Sequence, residues 1–224
     1  MKHLIVAAVA AGLLPVTVQA ADIRLVTEEY PPFNMIYQGE ITGMATDLLK
    51  AAFEKAGVTY TLEVLPWARA YNVALTTANT CVYSTTETPE RMDKFLWVGP
   101  LVDNDWVLLG RADSPAISSL EEARPYKIGG YLGDATAAYL IAEGFRVDTA
   151  SQDAFNAPKL ANGRIDFWAT GSQLGPYLAN QQGIEGLVSV VTIKQTVMSL
   201  ACNKDTDPAI IHRLQTALDA VRAN

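Results

Sequence analysis

The sequence predicts an α/β layer fold built as two units joined without a flexible linker. Three observations carry this. Short β-like runs alternate with helical stretches from residue 22 onward, the same rhythm restarts in the middle near residue 106, and neither a low-complexity linker nor an internal repeat divides the chain.

In order, Ile23–Thr27 reads as a strand, stopped by the turn-forming Tyr30-Pro31-Pro32-Phe33. From Met44 to Ala56 the residues Met44, Leu48, Leu49, Ala52, Phe53 and Ala56 recur at helical spacing, with Gly57 as the stop. A β run covers residues 60–65, and a helix starts at Pro66 and Trp67 and runs to about Thr76. Strands follow at 81–84 and 95–98. In the second half, strands are expected at 106–110, 127–132, 146–149 and 166–169, alternating with helices at 134–142, 153–161 and 174–181. Two more strands, at 187–193 and 197–201, precede a final helix. Asp207 is its N-cap, Pro208 its first residue, and Ile210, Ile211, Leu214, Leu218 and Val221 its apolar face.

The first twenty residues, MKHLIVAAVAAGLLPVTVQA, have the layout of a secretory signal peptide. Lys2 precedes a small and apolar run, and Val18 and Ala20 are the small residues before a cut that makes Ala21 the mature start. The run from Leu4 to Val18 is short for a bilayer span, which takes about 20 residues. No cysteine follows the cut to take a lipid. The mature chain is then 204 residues, 224 less 20, with a net charge of −8 once Lys2 is lost from the total of −7. Without a Lys/Arg cluster, nucleic acid is excluded as a partner. Two histidines, one of them in the leader, and two cysteines leave too few ligands for a structural zinc site. In an exported chain, Cys81 and Cys202 are expected to pair as a disulfide. No Walker-type glycine loop, HExxH motif or nucleophile elbow occurs.

Several segments resemble the small bacterial extracellular solute-binding proteins of the amino-acid-binding type (family 3). These are Leu25-Val26-Thr27-Glu28-Glu29-Tyr30-Pro31-Pro32-Phe33; Gly39, Gly43 and Asp47 ahead of Gly57; and Pro66-Trp67-Ala68-Arg69-Ala70. The stretch from Ser84 to Arg91 with Phe95 and Gly99-Pro100, and Gly163-Arg164-Ile165-Asp166 with the strand after it, complete the set. They occur in order over almost the whole mature chain. The resemblance implies a two-lobed, type II periplasmic-binding-protein-like fold, each lobe a mixed sheet flanked by helices, with a strand hinge. The first lobe would comprise residues 21–103 and 195–224, and the second 104–194. Both cysteines then fall in the first lobe. A periplasmic monomer is implied, without cofactor or metal, that captures a small polar ligand between the lobes and presents it to an ABC-type permease.

On the resemblance, Arg91 is the anchor for a ligand carboxylate, because a guanidinium offers paired N–H donors that match carboxylate geometry. Ser84 and Thr86, two apart on an extended segment, are expected to add polar contacts. Tyr30 lies at the exit of the first strand, where α/β sheets place ligands, with Phe33 assigned to the core. Trp67 and Arg69 would complete that wall. Gly133 and Thr136 flank Asp134 at a helix start, where free N–H groups favour an anion. Relatives carry an acid at the position of Gly171 to receive an α-ammonium. Its absence means that Glu28 or Glu29 takes the role, or that the ligand is not an ordinary α-amino acid. Two other readings compete with transport: a dehydratase-like enzyme acting on a prephenate-like carboxylic acid, and a stand-alone sensor. The enzyme is disfavoured because the cleft lacks an acid at Gly171 and the mature chain has only His212.

Overall fold

The apolar run Ile23–Thr27 forms strand β1, and both of its faces are covered. Ile23 and Leu25 enter one buried cluster and Val26 the opposite one, the period-two alternation of a central strand. This computed structural model describes residues 22–223; the expected leader and Ala21 lie outside the described residues. After β1 come β2 (Met35–Tyr37), β3 (Glu40–Thr42), α1 (Met44–Ala56), β4 (Tyr60–Val64), α2 (Trp67–Thr76), β5 (Thr80–Thr86), α3 (Pro89–Met92) and β6 (Leu96–Asp103). The second half carries β7 (Trp106–Gly110), β8 (Ile128–Tyr131), α4 (Ala135–Ala142), β9 (Val147–Ala150), α5 (Asn156–Ala161), β10 (Phe167–Gly171), α6 (Leu174–Gln181) and β11 (Val188–Lys194). Strand β12 (Val197–Cys202) and helix α7 (Pro208–Arg222) close the chain.

Two five-stranded mixed sheets result. The first has the order β4-β1-β5-β12-β6 and the second β11-β7-β10-β8-β9. Strand β1 runs parallel to β4 and β5, whereas β12 is antiparallel to β5 and β6. In the second sheet β8 runs parallel to β9 and β10, and β7 is antiparallel to β10 and β11. Alternate residues again face opposite clusters: Leu108 and Phe167 on one side, Leu109 and Trp168 on the other.

The helices end where local chemistry stops them. Gly57 takes the left-handed conformation (φ 61°) and its N–H closes the last turn of α1, a cost only glycine avoids. The Asp207 side chain accepts from Ala209 N at 2.8 Å and Pro208 opens α7, which buries Leu214 and Leu218 in the same cluster as Leu49 and Phe53 of α1. Cys81 and Cys202 are paired directly across β5 and β12 and form a disulfide, tying positions 121 apart in sequence.

The polypeptide crosses from the first sheet to the second at residues 104–105 and returns at 195–196. The crossings hold each other: Asn104 N donates to Thr196 O at 2.8 Å, and Thr196 Oγ1 donates to Asn104 O at 2.6 Å. Several features differ from the sequence expectation, among them β6, which runs on to Asp103 where a strand was expected only at 95–98. The β2–β3 hairpin was not foreseen, since its three-residue strands are largely exposed and carry no sustained alternation. Helix α5 starts at Asn156, because Asp153–Phe155 forms a separate 3-10 turn.

Candidate functional site

The exits of β1, β5 and β8 and the starts of α2 and α4 converge between the two sheets, where they wall two chambers. The first has a volume of about 730 Å³ and is walled by Trp67, Tyr71 and Arg91 from one unit and Trp106, Gly133 and Tyr139 from the other. The second, of about 830 Å³, is walled by Glu28, Tyr30 and Pro66 on one side and by Tyr131, Asp153 and Tyr177 on the other. Segments 65–67 and 131–133 stand between them. Pro66 and Tyr131 face the second chamber, while Trp67 and Gly133 face the first.

Direct bonds join the units along this divide. Trp67 Nε1 donates to Gly133 O at 3.1 Å, and Tyr131 Oη donates to Glu28 Oε2 at 3.1 Å. Gly133 adopts φ +82°, the left-handed region where glycine is at ease, and this turn presents its carbonyl to Trp67. Asn104, at the first crossing, donates to Tyr30 Oη at 3.2 Å.

The first chamber is aromatic and carries both signs of charge, with Arg91, Lys94 and Lys194 lining it beside Glu90 and Glu143. The Arg91 guanidinium carbon lies 5.3 Å from the ring centroids of both Trp67 and Tyr71, a cation–aromatic arrangement. Its one protein hydrogen bond is Nη1 to Thr86 O at 3.3 Å, and among the described residues no carboxylate is ion-paired with it. Facing it, Lys194 Nζ lies 5.9 Å from the Trp106 ring and 5.6 Å from Tyr139.

The second chamber is acidic. Burial pushes the Glu28 carboxyl up to about 8, reinforced by the nearby charge of Asp134 and opposed by the Tyr131 hydrogen bond. Burial likewise raises Asp153 to about 6, against the bonds it accepts from Thr170 Oγ1 (2.7 Å) and Trp168 Nε1 (2.8 Å). Burial also drives the Tyr30 hydroxyl upward. No group of three or more His, Cys, Asp or Glu suited to a metal ion occurs among the described residues.

Of the residues expected from the sequence, Arg91, Trp67 and Gly133 wall the first chamber and Tyr30 the second. Ser84 and Thr86 wall neither. The Ser84 hydroxyl donates to Asn34 Oδ1, whose amide in turn donates to Thr27 Oγ1 and to Glu28 O, so this network fixes the backbone of Glu28. Thr86 contributes its carbonyl to Arg91. Thr136 is buried, and its N–H is taken by the Asp134 cap at 2.8 Å. Arg69 is exposed on α2 and reaches neither chamber. Phe33 and Trp168 are fully buried in their cores.

Gly171 has no room for an acid. A Cβ there would lie 2.4 Å from Asn104 Oδ1 and 3.2 Å from Tyr30 Oη, so the side chains of Asn104 and Tyr30 fill that place. Sequence reasoning passed over Asp153, Tyr131, Tyr71 and Lys194. Tyr71 was findable, one helical turn after Trp67 on α2.

A family model described as bacterial extracellular solute-binding proteins, family 3, matches residues 23–224. Among solved structures, the chain is similar to a histidine kinase sensor domain with similarity to periplasmic binding proteins. The TM-score is 0.83 at 21% identity, covering 90% of each chain. It is similar to an ArgBP mutant from T. maritima (TM-score 0.76, 18% identity, 90% of this chain and 89% of that one). It also resembles ArtJ, the arginine-, lysine-, histidine-binding protein of Geobacillus stearothermophilus (TM-score 0.78, 18% identity, 90% and 89%). The search of curated proteins gives no match.

Proposed function

The chain belongs to the bacterial extracellular solute-binding proteins of family 3, and from that membership we propose that it captures a small carboxylate-bearing, amino-acid-like solute between its two units and presents it, chemically unchanged, to an ABC-type permease in the periplasm. Residues 21–103 with 195–224 act as one lobe and 104–194 as the other, and the paired crossings at 104–105 and 195–196 serve as the hinge. The observation that carries this reading is the state of Arg91. Its guanidinium is held by two aromatic rings inside a chamber that both units wall, yet among the described residues no carboxylate forms an ion pair with it, although Glu90 lines the same chamber. A ligand carboxylate supplies the missing anion through paired N–H donors, and closure of the second unit removes water from the contact.

Thermal-shift screening of the mature protein against amino acids, organic acids, polyamines and opines tests this. A ligand at about 100 times its Kd adds roughly 2.7 kcal/mol of stability. Arg91→Lys is expected to weaken the identified ligand by about 1–3 kcal/mol, and recovered ligand is expected to be unaltered by mass spectrometry. Wild-type affinity in Arg91→Ala would show the anchor to be misassigned, and turnover of the ligand would favour an enzyme. Solute uptake that requires a permease separates transport from the sensor role, which shares the same capture step.

A further inference from the structure

Glu28 stands on the divide between the two units, and its neighbours are split between them. Its backbone belongs firmly to the first unit, because buried Asn34 donates its side-chain amide to Glu28 O at 2.6 Å. Its carboxylate accepts from Tyr131 Oη of the second unit at 3.1 Å. From that unit it also meets the charges of Asp134, at the start of α4, and of Asp153, in the turn before α5. Asp153 is held from within its own unit by Trp168, Thr170 and Asn156, so it travels with that unit. From the first unit Glu28 meets the charge of Arg91 in α3, with Glu29 and Tyr30 beside it on its own loop. Tyr177 of α6 completes the titratable groups around the chamber. The neighbouring bond between the units, Trp67 Nε1 to Gly133 O, contains no group that titrates.

Parting the units changes these surroundings unequally. It takes away the burial, Asp134 and Asp153, all of which disfavour a charged Glu28, and it leaves Arg91, which favours the charge. The Tyr131 donor is lost as well, but its effect is smaller than that of burial or of Asp134. Closing over Glu28 therefore takes up a proton, and opening releases it. We infer that Glu28 is a proton site that couples pH to the opening of the ligand-free protein: the protonated carboxyl keeps the units together through Tyr131, and the ionised carboxylate drives them apart. This rests on movement about the crossings at 104–105 and 195–196 and adds what biases it. The sign follows from the closed form, where the carboxyl is raised from 4.5 to about 8. The closed form is most favoured in acid, loses ground as pH rises from about 4.5 to 8, and changes no further above that.

The test measures the distance between spin labels on the two units of the ligand-free mature protein by double electron–electron resonance. Both native cysteines are in the disulfide, so cysteines introduced by Ala78→Cys, just after α2, and Ile141→Cys, on α4, take the labels alone; both positions are exposed. The ratio of the short-distance to the long-distance population is expected to fall at least about 10-fold between pH 5 and pH 8, the change that one unit of pKa shift on closing produces. In Glu28→Gln, which keeps an acceptor for Tyr131 and cannot ionise, the ratio is expected to stay constant within about twofold and to match wild type at pH 5. A thermal melt confirms the fold of the variant, and the wild-type titration stands without it. A smaller fall in wild type, or the same fall in Glu28→Gln, overturns the inference. Two populations at a fixed ratio sink the proton coupling alone. One unvarying distance at every pH sinks the hinge as well.

Discussion

Replacing Glu28 by glutamine should change how the stability of the ligand-free protein depends on pH. In the folded chain the Glu28 carboxyl is raised from 4.5 to about 8, mainly by burial and then by the charge of Asp134. A folded-state value above the unfolded one means that the native state holds the extra proton between about pH 4.5 and 8, so this group's contribution falls as pH rises through that window. The full difference corresponds to at most about 5 kcal/mol. Glu28 is only partly buried, and the cleft can part and admit water, so about 1–3 kcal/mol is the expected size. Glutamine keeps an acceptor for Tyr131 and cannot ionise. At pH 5 the variant and wild type should melt together, and at pH 8 the variant should melt about 3–10 °C higher. Comparing the two proteins at each pH cancels the contribution of every other carboxylate. Equal melting at pH 8, or the same gap at both pH values, would refute the reasoning.

Three further outcomes follow from particular contacts. Removing the disulfide in a Cys81→Ser/Cys202→Ser double variant releases a loop of 121 positions. It should cost about 2–5 kcal/mol, read as a melting temperature at least about 5 °C lower; an unchanged melt would show the bond to be idle. Gly171→Ala pushes a Cβ against Asn104 and Tyr30 and should destabilise by about 1–3 kcal/mol in urea titration, an effect absent if Asn104 can swing clear. Trp67→Phe removes the donor to Gly133 O, worth about 0.5–1.5 kcal/mol, and should raise the radius of gyration of the ligand-free protein; an unchanged radius means that this bond does not hold the units together.

Much of the architecture was legible because each local rule agreed with the next. The alternation in β1, the apolar stripe and glycine stop of α1, and the Asp207-Pro208 start of α7 each encode their element within a few residues. The β2–β3 hairpin was not, since its turn at Gln38-Gly39 uses positive φ at both positions but its strands bury little. In the candidate site, residues defined by one segment were easier to read than those defined by packing. Arg69 could have been set aside: α2 buries Trp67, Ala70 and Ala74, and position 69 falls off that face. Asp153 was hidden because its role depends on Trp168 and Thr170, which hold its carboxylate from a strand formed later in the chain. The Glu28–Tyr131 contact spans 103 positions, and no local pattern announces it. Ser84 reads as a ligand contact until Asn34 is seen to take its hydroxyl.

The central claim is capture of a carboxylate solute between the two units at Arg91. A crystal structure of the mature protein with the ligand that most raises its melting temperature tests this directly. The account predicts the ligand carboxylate within about 3 Å of the Arg91 guanidinium nitrogens, with residues of both units, Trp67 and Gly133 among them, against it. A ligand bound to one unit alone, or with its acid group away from Arg91, would contradict it.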